Sequence, residues 1–161
     1  QSITLIVLLM KSIEEEIKQK QFANIFVKTD VNLLFTSGWL QNVKARFFKP
    51  YGVSLQQFNV LRILRGQHPQ PVMLTQITER MIDKMSNATR LVEKLKQKEL
   101  VSRELNANSR RQVDIGITLK GLELLSKIDE EMNRQIPPSY YQNLSEDELL
   151  QLNIILDKIR N

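Results

Sequence analysis

With 161 residues, no cysteine and a single histidine (His68), the chain is long enough for a core. The composition excludes disulfides, thiolate catalysis and thiol switching, and argues against a structural or catalytic zinc site. Hydrophobic residues make up 42% and charged residues 25%, with only five glycines and five prolines, so a soluble, helix-rich chain is expected rather than a disordered one. No metal or cofactor is expected, and the cysteine-free composition suits the cytoplasm.

Residues 1–9 carry the apolar run Ile3-Thr4-Leu5-Ile6-Val7-Leu8-Leu9. The run is too short to span a bilayer, and no basic residue precedes it as a signal peptide requires. The native start is expected at Met10, with residues 1–9 an artificial leader and no membrane partner. Apolar Ile13, Ile17, Phe22 and Ile25 predict a first helix over residues 12–27. A second, over 30–49, carries the stripe Val31, Phe35, Trp39, Val43, Phe47 and is stopped by Pro50 and Gly52. Ser54 and Gln57, three apart, read as a capping box opening a helix with Leu55, Phe58, Leu61 and Leu64 that ends near Gly66. His68-Pro69-Gln70-Pro71 is a rigid connector, and His68 an exposed turn residue.

A short helix over 75–81 and a tight turn near Ile82-Asp83 then lead into a longer helix reaching about residue 98. Its Ala88, Leu91, Val92 and Leu95 repeat at i, i+3, i+4, i+7, while Ser86, Asn87, Thr89, Arg90 and Lys94 occupy the opposite face. Residues 100–105 and 112–117 alternate as two strands around a polar, basic turn from Asn106 to Arg111. Helix, turn, helix and hairpin make a winged helix-turn-helix, in a chain that is mainly α with a small β-hairpin. Between Lys84 and Arg111, eight basic side chains face three acidic ones, and this surplus accounts for the entire net charge of +5. A charge run alone is as often a solvated face. Here small polar groups at a helix start can present donors and acceptors in a major groove, and arginines on a slim hairpin can reach a minor groove. The predicted DNA-binding residues are Lys84, Ser86, Asn87, Thr89, Arg90 and Lys94 of the recognition helix, and Arg103, Asn108, Ser109, Arg110 and Arg111 of the wing.

Three stretches carry a resemblance to a known family: Leu55-Gln56-Gln57-Phe58-Asn59-Val60-Leu61, Thr89-Arg90-Leu91-Val92-Glu93-Lys94-Leu95, and the segment from Arg110 to Gly121, with Arg111 seven residues before Thr118-x-x-Gly121. Together they resemble the multiple antibiotic resistance regulator (MarR) family over about residues 30–161. The resemblance implies that Arg111 is the minor-groove arginine and that Thr118 caps the next helix. It also implies a homodimer of interlocked N- and C-terminal helices on a pseudo-palindromic double-stranded DNA operator, most often as a repressor. Two positions depart from the family pattern. Ser109 replaces a wing aspartate, and Glu99 replaces a helix-ending glycine, where a non-glycine at positive φ costs roughly 1 kcal/mol.

The C-terminal part contributes a helix over 118–135 with Leu122, Leu125 and Met132, ended by Pro137-Pro138. The capping sequence Ser145-Glu146-Asp147-Glu148 opens a last helix with Leu152, Ile155, Leu156 and Ile159 on one face. These helices either cover their own domain or pair with a second copy. The expected division is 10–53 for dimerisation, 54–117 for the DNA-binding lobe and 118–161 for dimerisation. The resemblance further implies a small aromatic effector, for which Trp39, Phe47, Tyr51 and Phe58 are candidate pocket residues, although such a stripe also serves as plain core. A winged helix turned to protein binding is the alternative function. No enzyme is expected: phosphate-cradling glycine loop, metal cluster and Ser/His/Asp set are all missing from the sequence.

Overall fold

The computed structural model describes residues 11–106 and 109–161, with the backbone alone at 106 and 109–112. The chain divides into two units, Gln1–Leu55 and Gln56–Asn161. The expectations for residues 1–9 and for Asn108 lie outside the described residues.

In the first unit, the single helix expected over 12–27 is instead a short turn of helix followed by the start of a long one. Helix α1 (Ile13–Glu16) is capped reciprocally by Ser12 and Glu15, and the chain then passes through Lys18 at φ 55. Asn24 opens α2 (Ile25–Phe48): its side chain accepts from the Val27 N–H at 3.0 Å. Apolar spacing alone puts Asn24 inside a helix, but its short polar side chain favours the cap. A 3₁₀ turn (Lys49–Tyr51) with Pro50 ends α2, and Gly52 closes it at φ 67, which glycine adopts without steric cost.

The second unit is built around α3 (Leu55–Arg65), which starts directly after Ser54 and buries Phe58, Val60, Leu61 and Leu64. Strand β1 (Val72–Met73) leads into α4 (Leu74–Arg80), followed by α5 (Ala88–Gln97). The hairpin is β2 (Val101–Asn106) and β3 (Ser109–Ile117). The two-stranded wing expected from sequence gains β1 as a third antiparallel strand, in the order β1-β3-β2, with Val72 opposite Ile115 and Val101 opposite Ile117. Fully buried Leu61, Leu64, Ile77, Val92, Leu95 and Ile115 bring α3, α4, α5 and the sheet into one core, and Leu125 and Ile128 of α6 (Leu119–Arg134) are also fully buried. An ion pair of 2.5 Å, Arg65 to Asp129, ties α3 to α6.

A 3₁₀ turn (Ser139–Tyr141) precedes α7 (Glu146–Arg160), whose capping box between Ser145 and Glu148 is formed as the sequence predicts. No residue of α7 is buried, and Leu150, Ile155 and Ile159 are each more than half exposed. Among the described residues, no helix is long and apolar enough to cross a membrane, and no His/Cys/Asp/Glu group could hold a metal.

Candidate nucleic-acid interface

Helix α5 is held by its packing and by both ends. Its apolar side is buried through Ala88, Val92 and Leu95. At the start, Asn87 Oδ1 accepts from the Arg90 N–H at 3.0 Å, satisfying one of the unpaired donors of the first turn. Ser86 and Lys84, expected on the recognition helix, lie just before it, in the turn from α4. That turn is built on Asp83. Its carboxylate accepts from the Met85 N–H at 3.0 Å and from the Ser86 hydroxyl at 2.7 Å. These bonds, the Ser86 hydroxyl first, hold the Asp83 carboxyl below the ordinary aspartate range. The Lys84 ammonium donates to the Glu79 carbonyl. Thr89, Arg90 and Lys94 are exposed on α5, away from the buried stripe.

The far end of α5 closes as a Schellman motif. Leu100 N–H donates to the Leu95 carbonyl at 3.0 Å and Glu99 N–H to the Lys96 carbonyl at 2.8 Å, with Glu99 itself at φ 60. Glu99 thus takes the left-handed conformation at the position where the resembled family has a helix-ending glycine. Glu99 also holds Lys120 at 2.7 Å, and that ammonium keeps its carboxyl below the usual glutamate range.

Thr118 joins this helix end to α6. Its hydroxyl donates to the Glu99 carbonyl at 2.8 Å and accepts from the Gly121 N–H at 3.1 Å. Gly121 lets α6 start directly against β2: a Cβ there would fall 2.4 Å from the Leu100 carbonyl oxygen. The Thr-x-x-Gly spacing is therefore a joint, with threonine as the pin and glycine as the clearance.

The wing places its residues less uniformly than charge alone suggested. Arg103 lies opposite Ile115 in the register, on the strand face shared with Val101 and Ile117. Its guanidinium forms an ion pair with Glu93 of α5, so it braces the base of the wing against the helix. Period-two alternation was the signal for this, since Val101, Arg103 and Leu105 share one face. Towards the tip the register shifts between Leu105 and Asn106, and residues 110–112 of β3 are taken up by the shift. Ser109, Arg110 and Arg111 are on the β3 backbone, and their side chains lie outside the described residues.

The aromatic residues expected to line an effector pocket are divided between the units. In the first, Phe47 packs edge-on to Phe48 at 5.1 Å and against Tyr51 at 5.8 Å, while Trp39 is exposed. In the second, Phe58 is buried, with the Arg62 guanidinium 5.9 Å above its ring. A cavity of about 370 Å³ lies elsewhere, between the start of α4, α5 and the sheet, with Thr89, Val92, Arg103 and Ile115 in its lining.

The second unit is a winged helix-turn-helix, and its relatives agree on the family. A profile of the MarR family matches residues 53–113. The uncharacterized HTH-type transcriptional regulator YkoM of Bacillus subtilis is 33% identical over 110 residues, spanning 68% of this chain and 70% of that protein. MgrA of Staphylococcus aureus, also an HTH-type transcriptional regulator, is 29% identical over 114 residues, 71% of this chain and 74% of its own. A MarR transcription factor from Planctomyces limnophilus superposes with TM-score 0.64 at 27% identity, over 85% of this chain and 98% of its own. A mutant of MarR from E. coli, crystallised with operator DNA, shares the fold at TM-score 0.70 and 20% identity, over 80% of this chain and 91% of its own. The chain belongs to the MarR family and is a transcription regulator.

Proposed function

We propose that this regulator binds double-stranded DNA sequence-specifically, as a homodimer on a pseudo-palindromic operator in the cytoplasm, and represses transcription until a small aromatic ligand releases it. The observation that carries the DNA reading is the coincidence of charge and geometry. The net charge of the chain lies wholly in residues 84–111, and α5 within that segment turns Thr89, Arg90 and Lys94 outwards. A capped helix of this kind enters a major groove from its N-terminal end, with Ser86, Asn87, Thr89 and Arg90 near base edges and Lys84 and Lys94 near phosphates. In the wing, Asn108, Ser109, Arg110 and Arg111 reach the minor groove, with Arg103 at its base paired to Glu93.

Dimerisation through residues 10–53 and 118–161 is supported by apolar surface that the single chain leaves in water. Phe26 and Leu34 of α2 are about three-quarters exposed, and α7 buries nothing. Apolar surface on this scale marks an interface in a water-soluble protein. Release by an aromatic ligand, with Trp39, Phe47, Tyr51 and Phe58 as pocket residues, rests on the family resemblance.

The test is fluorescence anisotropy on duplex DNA from upstream of the protein's own gene, against a scrambled duplex, over a salt series. Preference for the upstream duplex, steep weakening with salt, a slope smaller by about one in Lys94→Ala, and weaker, less selective binding in Arg90→Ala and Arg111→Ala are expected. Absence of binding at low salt refutes the reading and leaves a winged helix used for protein contacts. Sedimentation equilibrium reports the dimer independently.

A further inference from the structure

The turn before α5 presents a side chain that neither charge nor helix periodicity brought forward. Met85 is 93% exposed, and Ile82, three residues earlier, is 82% exposed. A single exposed methionine on a surface is ordinary. This one sits on a built support: Asp83 accepts from the Met85 N–H at 3.0 Å and from the Ser86 hydroxyl at 2.7 Å, and Ser86 N–H donates to the Asp83 carbonyl at 3.3 Å. On the upstream side, the Ile82 N–H donates to Asn59 Oδ1 of α3 at 2.9 Å. The backbone of the turn is thus held by Asp83 and, just upstream, by α3, while the Met85 side chain stands in solvent three residues before α5, in the segment that carries Lys84, Arg90 and Lys94.

In a DNA major groove, the apolar group a protein can meet is the C5-methyl of thymine; the other base-edge features are hydrogen-bond donors and acceptors. An unbranched, polarizable side chain suits such a contact, because it adjusts to the methyl without needing a partner of its own. The basic residues of the same segment, Lys84, Arg90 and Lys94, match the phosphates that border the groove. We propose that Met85 reads a thymine methyl and gives the protein a preference for thymine at one position in each half-site. This deepens the DNA-binding reading and rests on it.

The probe is the duplex enriched by the full-length chain from a random-sequence library, remade with each thymine in turn replaced by deoxyuridine, which lacks only the methyl. Binding of wild type and Met85→Ala is measured at one salt concentration, with thermal melting of both proteins as the folding control. One deoxyuridine position is expected to weaken wild type about fourfold, the factor for burying one methyl-sized group. Met85→Ala should bind the thymine duplex about fourfold more weakly and show no further loss at that position. Wild type indifferent to every substitution, or Met85→Ala with the same deoxyuridine penalty as wild type, overturns the assignment while leaving DNA binding intact. If the library yields no enriched duplex, the DNA-binding reading falls and this one falls with it.

Discussion

Replacing Glu99 by glycine and, separately, by alanine isolates the cost of the backbone at the end of α5. Both substitutions remove the carboxylate and with it the contact to Lys120 at 2.7 Å, so that loss cancels between them. What remains is a Cβ at φ 60 in one variant and none in the other. A left-handed Cβ costs about 1–2 kcal/mol, and the greater freedom of glycine in the unfolded chain takes back about 0.5–1 kcal/mol. Glu99→Gly is therefore expected to be more stable than Glu99→Ala by about 0.5–1 kcal/mol, a difference of about 1–4 °C in Tm for a chain of this size. Urea titrations followed by circular dichroism should show the difference in the midpoint with the slope unchanged. An alanine variant as stable as the glycine variant would refute the reasoning, because the Schellman closure would then impose no strain on its non-glycine residue.

Gly121→Ala drives a methyl onto the Leu100 carbonyl and should destabilise the protein by about 1–3 kcal/mol, read from the same titration; an unchanged midpoint would show that α6 starts with room to spare. Thr118→Ala removes the hydroxyl that caps α6 and should cost about 1 kcal/mol, whereas Thr118→Ser should retain most of it. Asp83 supplies a pH test. Its carboxyl is held low, first by the Ser86 hydroxyl and then by the Met85 N–H, so its contribution is complete above the unfolded-state pKa. It is lost as pH falls through the lower folded-state value, and the stability gap between wild type and Asp83→Asn should narrow on the acid side of the carboxylate range. A gap that widens there would contradict the sign.

The parts of the fold carried by local patterns were readable in the chain. Helix α5 declares itself through Ala88, Val92 and Leu95, α7 through Ser145 and Glu148, and the joint before α6 through Thr118 and Gly121. Features that depend on distant partners were not. Strand β1 is two residues long and exists only because Val72 meets Ile115, far along the chain. The break after α1 was hidden because apolar Ile17, Phe22 and Ile25 recur across it, and only Asn24 signals the restart. At the candidate interface, the charge surplus pointed to residues 84–111 but treated its arginines alike. The strand register separates Arg103, paired with Glu93, from residues 110 and 111 near the tip. Met85 escaped notice because an apolar residue in a turn has no periodicity to violate.

The Thr118 hydroxyl, shared between the last turn of α5 and the first of α6, gives the reading head a lever. Helix α6 is 16 residues long, so it extends about 24 Å from that pin. A displacement of about 2 Å at its far end corresponds to a swing of about 5° at the joint, where Gly121 rests on the Leu100 backbone with no side chain to cushion it. The buried Leu125 and Ile128 and the Arg65–Asp129 pair fasten α6 beyond the joint, so a load on its far end bears on the core that also seats α5.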